Sequence, residues 1–130
     1  MPVGILGGMQ QSDWERLRAP FPPAAVAWRV VQVTPDRQSA RVVPQLSPAA
    51  ISARLDEVCG PAGWSVRFVL ASGAAVCELS VAGAVRSAVA EPLAGESLNA
   101  ASTAAWAGAA QLFGMAAPVS AEEEFLVDYD

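Results

Sequence analysis

The sequence predicts one α+β domain in which a long helix is laid over an antiparallel sheet, and three observations predict it. First, Ser97 to Gly114 (SLNAASTAAWAGAAQLFG) reads as a long, almost chargeless helix with small residues over most of its surface. Ser97 suits the N-cap, and Gly114 suits a stop that needs the left-handed conformation. Second, from Trp64 to Ala90 apolar residues recur with period two in three runs, broken at Ser72-Gly73 and Ala82-Gly83. Third, 130 residues without repeat or linker make one domain with room for a core.

The elements follow in order. The first ten residues, MPVGILGGMQ, are apolar without a positive start, and read as a flexible arm before a domain spanning 11–130. Ser12-Asp-Trp-Glu15 reads as a capping box opening a short helix, Asp13 to Arg18, that Pro20, Pro22 and Pro23 end. Val26–Val33 and Ser39–Val43 are strand-like runs around Thr34-Pro-Asp-Arg37, a type I turn by its proline, and so predict a hairpin. Ser47-Pro48 opens the helix Pro48–Cys59, which turns Ile51, Leu55 and Val58 inward and stops at Gly60-Pro61. Within it, Arg54 is expected to pair with Asp56 or Glu57 on its own helix. Trp64–Ala71, Ala75–Val81 and Val85–Ala90 make a meander, and Glu124–Tyr129 is read as a last strand.

The uncharged stretch from Ser97 to Ala121 does not read as a membrane span. Asn99, Ser102, Thr103 and Gln111 interrupt it, Ala outnumbers Leu, and Pro118 breaks it. Its small-residue face leaves helix pairing between subunits open. The 53% hydrophobic content predicts an oligomer that buries surface between copies. There is no Lys, and eight Arg face thirteen acids for a net charge of −5, which argues against a strong non-specific nucleic-acid binder. A locally basic groove remains compatible, because acids cluster at Glu122, Glu123, Glu124, Asp128 and Asp130. Cys59 and Cys77 read as reduced core residues, and the expected location is the cytoplasm.

Several of these pieces resemble one family. Arg54-Leu-Asp-Glu-Val-Cys-Gly60-Pro-Ala-Gly-Trp64 is similar to the RLDEVFGPxxW segment of the Rad-fifty-two/DdrA-type single-strand annealing proteins. Cys77-Glu-Leu79-Ser-Val81 resembles that family's C-x-L-x-V strand, and Arg86-Ser-Ala-Val-Ala90-Glu91 its turn into the long helix. Ala101, Ser102, Thr103, Ala105, Ala109, Ala110, Phe113 and Gly114 resemble its helix signature A-x-T-D-A-x-K-R-A-A-x-x-F-G. Val26-Ala-Trp28-Arg29 and Leu126-Val-Asp-Tyr129 fit its first strand and its end, so the likeness runs from about Trp14 to Asp130. The resemblance implies a β-β-β-α core with a curved antiparallel sheet, assembly into rings or filaments, and a DNA-repair role. It implies single-stranded DNA held in a positive groove for annealing or 3′-end protection, with no metal, nucleotide or catalytic residue.

The chain departs from the family at the groove. The family's Lys-Arg pair falls on Ala107 and Gly108, the Asp before it on Ala104, and a further basic position on Gln111. Gln45-Leu-Ser-Pro-Ala49 stands for its Tyr-Ile-x-x-Arg, and Ala90 for its turn glycine. The remaining candidates for phosphate contact are Arg29, Arg41 and Arg86, each of which also reads as a solvated charge on an exposed strand face. Trp14, Trp28, Trp64 and Trp106 could stack on bases, with core or interface packing as the alternative. Trp106, beside the missing pair, could fill the emptied groove or meet a partner there. Enzyme chemistry has little footing: His is absent, the cysteines lack a zinc spacing, and Glu122–Glu124 reads as a solvated charge run. Gly4 and Gly7-Gly8 follow no strand and form no phosphate loop. No cofactor is expected. Two functions stand: weak single-stranded DNA binding by a homo-oligomer, or a paralogue without DNA binding that self-assembles or co-assembles with a full-length relative.

Overall fold

The computed structural model of the chain describes residues 9–93, 95–118 and, as backbone, 125–128. The elements are α1 (Gln11–Leu17), a 3-10 turn (Pro23–Ala25), β1 (Val26–Val33), β2 (Ser39–Leu46) and α2 (Pro48–Cys59). Then come β3 (Trp64–Ala71), β4 (Ala74–Val81), β5 (Ala84–Ala90), α3 (Leu98–Leu112) and β6 (Phe125–Asp128). The strands form two antiparallel sheets, β1-β2-β6 and β3-β4-β5, with α3 packed on the second. This is the α+β architecture that the sequence predicts.

The core is built where period two meets period 3.6. Ala75, Cys77, Leu79 and Val81 on one face of β4 are buried, and they share a core with Ala101, Ala105 and Ala109 of α3. Ile51 and Leu55 of α2 and Leu17 of α1 complete it, each fully buried and each stabilising the fold by about 2 kcal/mol. Small side chains on α3 let the helix settle close to the sheet. Its ends follow the sequence: Ser97 Oγ accepts the Ala100 N–H at 3.1 Å, and Gly114 has φ 92°. The two meander turns, Ser72-Gly73 and Ala82-Gly83, carry successive positive φ values of 53°, 81°, 51° and 87°. Such turns match the right-handed twist of the strands they join.

The structure corrects three local readings. The α1 cap sits two residues earlier than expected: Asp13 Oδ2 accepts the Gln10 N–H at 3.1 Å, so the helix starts at Gln11. Met9 packs against the core, and residues 1–8 of the expected arm lie outside the described residues. Strand β2 runs through Pro44 to Leu46 rather than stopping at Val43. Proline interrupts a central strand, but among the described residues β6 pairs only Ser39 to Val42, and the neighbour described at Pro44 is β1.

Third, Arg54 pairs with neither Asp56 nor Glu57. Its guanidinium donates to the carbonyls of Arg16, Leu17, Ala19 and Pro20 at 2.8 to 3.3 Å, and lies 3.7 Å over the Phe21 ring. The last turn of α1 leaves carbonyls without helical partners, and a half-buried guanidinium satisfies several at once. Asp56 instead accepts from Trp64 Nε1 at 2.8 Å. Gly60 has φ 76°, and a Cβ at Gly63 would collide with the Cys59 carbonyl. The Arg54–Trp64 segment is therefore accounted for by packing and capping.

Candidate nucleic-acid interface

Helix α3 also faces the first sheet. A groove runs between it and the β1-β2 hairpin, in two lobes of about 870 and 380 Å³ that share Arg29 and Gln45. Ala104, Ala107, Gly108 and Gln111, the positions where the annealing family carries charge, all line the smaller lobe. Position 108 is pressed against the meander, since a Cβ there would stand 3.2 Å from Ala88 Cβ on β5. Any side chain at 108 would need Ala88 to give by a few tenths of an ångström, so glycine suits the close approach.

Arg29 reaches this groove but is already occupied. Its Nε donates to Glu96 Oε2 at 3.0 Å, and its Nη2 donates to Glu96 Oε1 at 2.8 Å and to the Glu91 carbonyl at 3.1 Å. The Leu93 N–H donates to the same Glu96 carboxylate at 2.9 Å. The two side chains keep only 18% and 12% of their exposure, so the pair is largely shielded. The Arg29 hydrogen bond, more than any other cause, holds the Glu96 carboxyl below its ordinary range; the Leu93 N–H assists, and burial opposes both. Glu96 thus sits on the guanidinium fork as a phosphate would, and an incoming oxyanion has to displace a tethered carboxylate.

The other two candidates part company. The register Arg29↔Val43 and Gln32↔Arg41 puts Arg41 on the same face as Arg29, beyond a bulge between Val30 and Gln32. Arg41 is exposed and donates to Gln32 Oε1 at 3.4 Å. Arg86 lies opposite Leu79, on the helix-facing side of the meander and not on its outer face. Its guanidinium is 5.7 Å from the Phe113 ring, in a cleft shared with Trp14, Arg18 and Gln111. The structure therefore gathers Arg29 and Arg41 on one sheet face and assigns Arg86 to a different site.

Trp106 does not fill the groove. It turns to the opposite side of α3, stacked 6.3 Å from Trp64 and edge-on to Phe68 at 5.9 Å. Trp14 stacks on Phe113 at 6.2 Å. The tryptophan that does line the groove is Trp28, 49% exposed. Burial pushes the Cys77 thiol up to about 11 and raises Cys59 as well, so neither is an activated nucleophile. The run Glu122–Glu124 lies outside the described residues.

Sequence reasoning missed Glu96 and Arg18. Glu96 precedes an N-cap serine, where a carboxylate reads as a helix-dipole partner, and nothing local ties it to an arginine 67 residues away. Set against protein-family models, curated proteins and solved structures, the chain matches none.

Proposed function

We propose that this protein is a DNA-repair-associated assembly subunit, built like the single-strand annealing proteins it resembles but with its phosphate groove neutralised. One observation carries the reading: Glu96 occupies Arg29 with both oxygens, in a groove whose basic family positions are Ala107, Gly108 and Gln111. What is left to work with is surface for assembly. On the outer face of the meander Val69, Val76 and Val89 stand in one cross-strand row, with Val69 and Val89 exposed and Val85 exposed nearby. Both β3 and β5 are edge strands among the described residues, and an apolar face with open edges favours association with another copy or a relative.

The test is fluorescence anisotropy of a labelled, 5′-hydroxyl single strand at about 20 and 150 mM salt, beside light scattering of the protein alone. The expected result is a particle larger than the monomer, with no binding that depends on Arg29. A loss of affinity in Arg29→Ala would sink the reading. Weak single-stranded DNA binding by the oligomer is the second reading. Arg37, at the rim of the groove, and exposed Arg41 favour it, and it requires that Arg37→Ala with Arg41→Ala abolish binding.

A further inference from the structure

We infer that the cleft at the C-terminal end of α3 is a site for a phosphate monoester, the dianionic group carried by a mononucleotide or by the 5′-phosphorylated end of a single strand. The cleft holds about 460 Å³ and is lined by Trp14, Arg18, Arg86, Gln111 and the Phe113-Gly114 turn among others. It adjoins the smaller lobe of the groove, with which it shares Gln111, and does not depend on how the groove is read.

Two arginines from unconnected elements converge there. Arg18 ends α1, and its aliphatic stem lies against Gly114, where any Cβ would collide with it. Arg86 comes from β5 and sits over Phe113, the neighbouring residue. Neither guanidinium has a hydrogen bond or ion pair among the described residues, although acids outnumber bases in this chain. Glu15, one turn before Arg18 on α1, does not pair with it.

The helix end does not account for them either. Ala110 O already accepts from the Phe113 and Met115 amides, and Gln111 O from the Gly114 amide. Two like charges in one concavity repel each other, and the repulsion is relieved by an anion bound between them. A monoester dianion balances two guanidiniums, each able to donate two parallel N–H bonds to it. The Gln111 amide adds a neutral donor at the rim. The stacked Trp14–Phe113 pair supplies an aromatic wall beside the charges, which suits a phosphate attached to a flat base. A diester phosphate brings only one charge and is the poorer match.

The experiment uses the full chain and three probes at low salt: a deoxynucleoside 5′-monophosphate, a short single strand with a 5′-phosphate, and the same strand with a 5′-hydroxyl. Binding is read by calorimetry, and circular dichroism checks that variants fold. The monophosphate and the phosphorylated strand should bind, the hydroxyl strand about tenfold or more weaker. Arg86→Gln and Arg18→Met, which keeps the stem against Gly114, should each lower affinity about tenfold. Binding of the monophosphate without the strand assigns the site to free nucleotides; binding of both admits strand ends. No binding of either at millimolar concentration overturns the proposal. So does equal binding of the two strands, or unchanged binding in a folded Arg18→Met/Arg86→Gln double variant.

Discussion

The groove and the cleft both open beside α3 and both contain arginine, yet they are opposites in charge. In the groove Arg29 is neutralised by Glu96 within hydrogen-bonding distance. In the cleft Arg18 and Arg86 have no acid against them among the described residues. Net charge predicts neither situation: a chain at −5 leaves two cations without an ion pair among the described residues while tying up a third, Arg29, that reads in the sequence as a candidate for phosphate contact. The lesson is that an arginine's partner, and not its presence, decides whether it is a bond in the fold or a site for a ligand.

Arg54 sets the upper end of that scale. Arg54→Ala removes donors from four carbonyls at the end of α1 and the guanidinium over Phe21. The expected loss is about 3 kcal/mol, read by denaturant unfolding, with no change in ligand binding. A loss under about 1 kcal/mol would show that water replaces those bonds easily.

Glu96→Gln comes next and bears on the groove directly. Losing the charge of a shielded pair should destabilise by roughly 1–2 kcal/mol while leaving Arg29 free to meet phosphate. Combined with Ala107→Lys, it should raise affinity for the 5′-hydroxyl strand about tenfold at low salt and steepen the salt dependence. If the double variant binds no better, the groove is not a nucleic-acid channel. The pH dependence follows from the same pair. Glu96 titrates below its ordinary value near 4.5, so its contribution is fully present above that pH and is lost as pH falls through the depressed value. Part of the wild-type drop in melting temperature below pH 4.5 should therefore be missing in Glu96→Gln.

Much of the fold was legible because its signals are local. Period two in β3, β4 and β5, the Ser-Gly and Ala-Gly turns, and Ser97 and Gly114 at the ends of α3 each state their conformation within a few residues. The failures came where a longer-range partner overrides a local signal. Pro44 reads as a strand end, yet β1 pairs straight past it, with Trp28 opposite Pro44. Arg54 reads as a helix-surface ion pair until α1 presents its bare carbonyls. At the site, Arg29, Arg41 and Arg86 were legible as arginines on strands, but which face each one shares was not, and Glu96 was invisible. A strand's alternation gives two faces without naming the one a helix will cover, and no spacing rule links Arg29 to Glu96.

Arg86→Gln is the smallest expected change in stability, and it decides the comparison. A guanidinium 5.7 Å from a ring and without a hydrogen bond contributes about 0.5 kcal/mol at most, and its repulsion from Arg18 opposes even that. The variant should therefore unfold within about 0.5 kcal/mol of the wild type, or slightly later, as like charges are relieved. Added phosphate sharpens the point, because a ligand that binds only the folded state raises its melting temperature. Wild-type protein should gain stability from a deoxynucleoside monophosphate, and Arg86→Gln should gain less. A large loss of stability in the variant without any ligand would place Arg86 with Arg54 as part of the framework, and the contrast between groove and cleft would collapse.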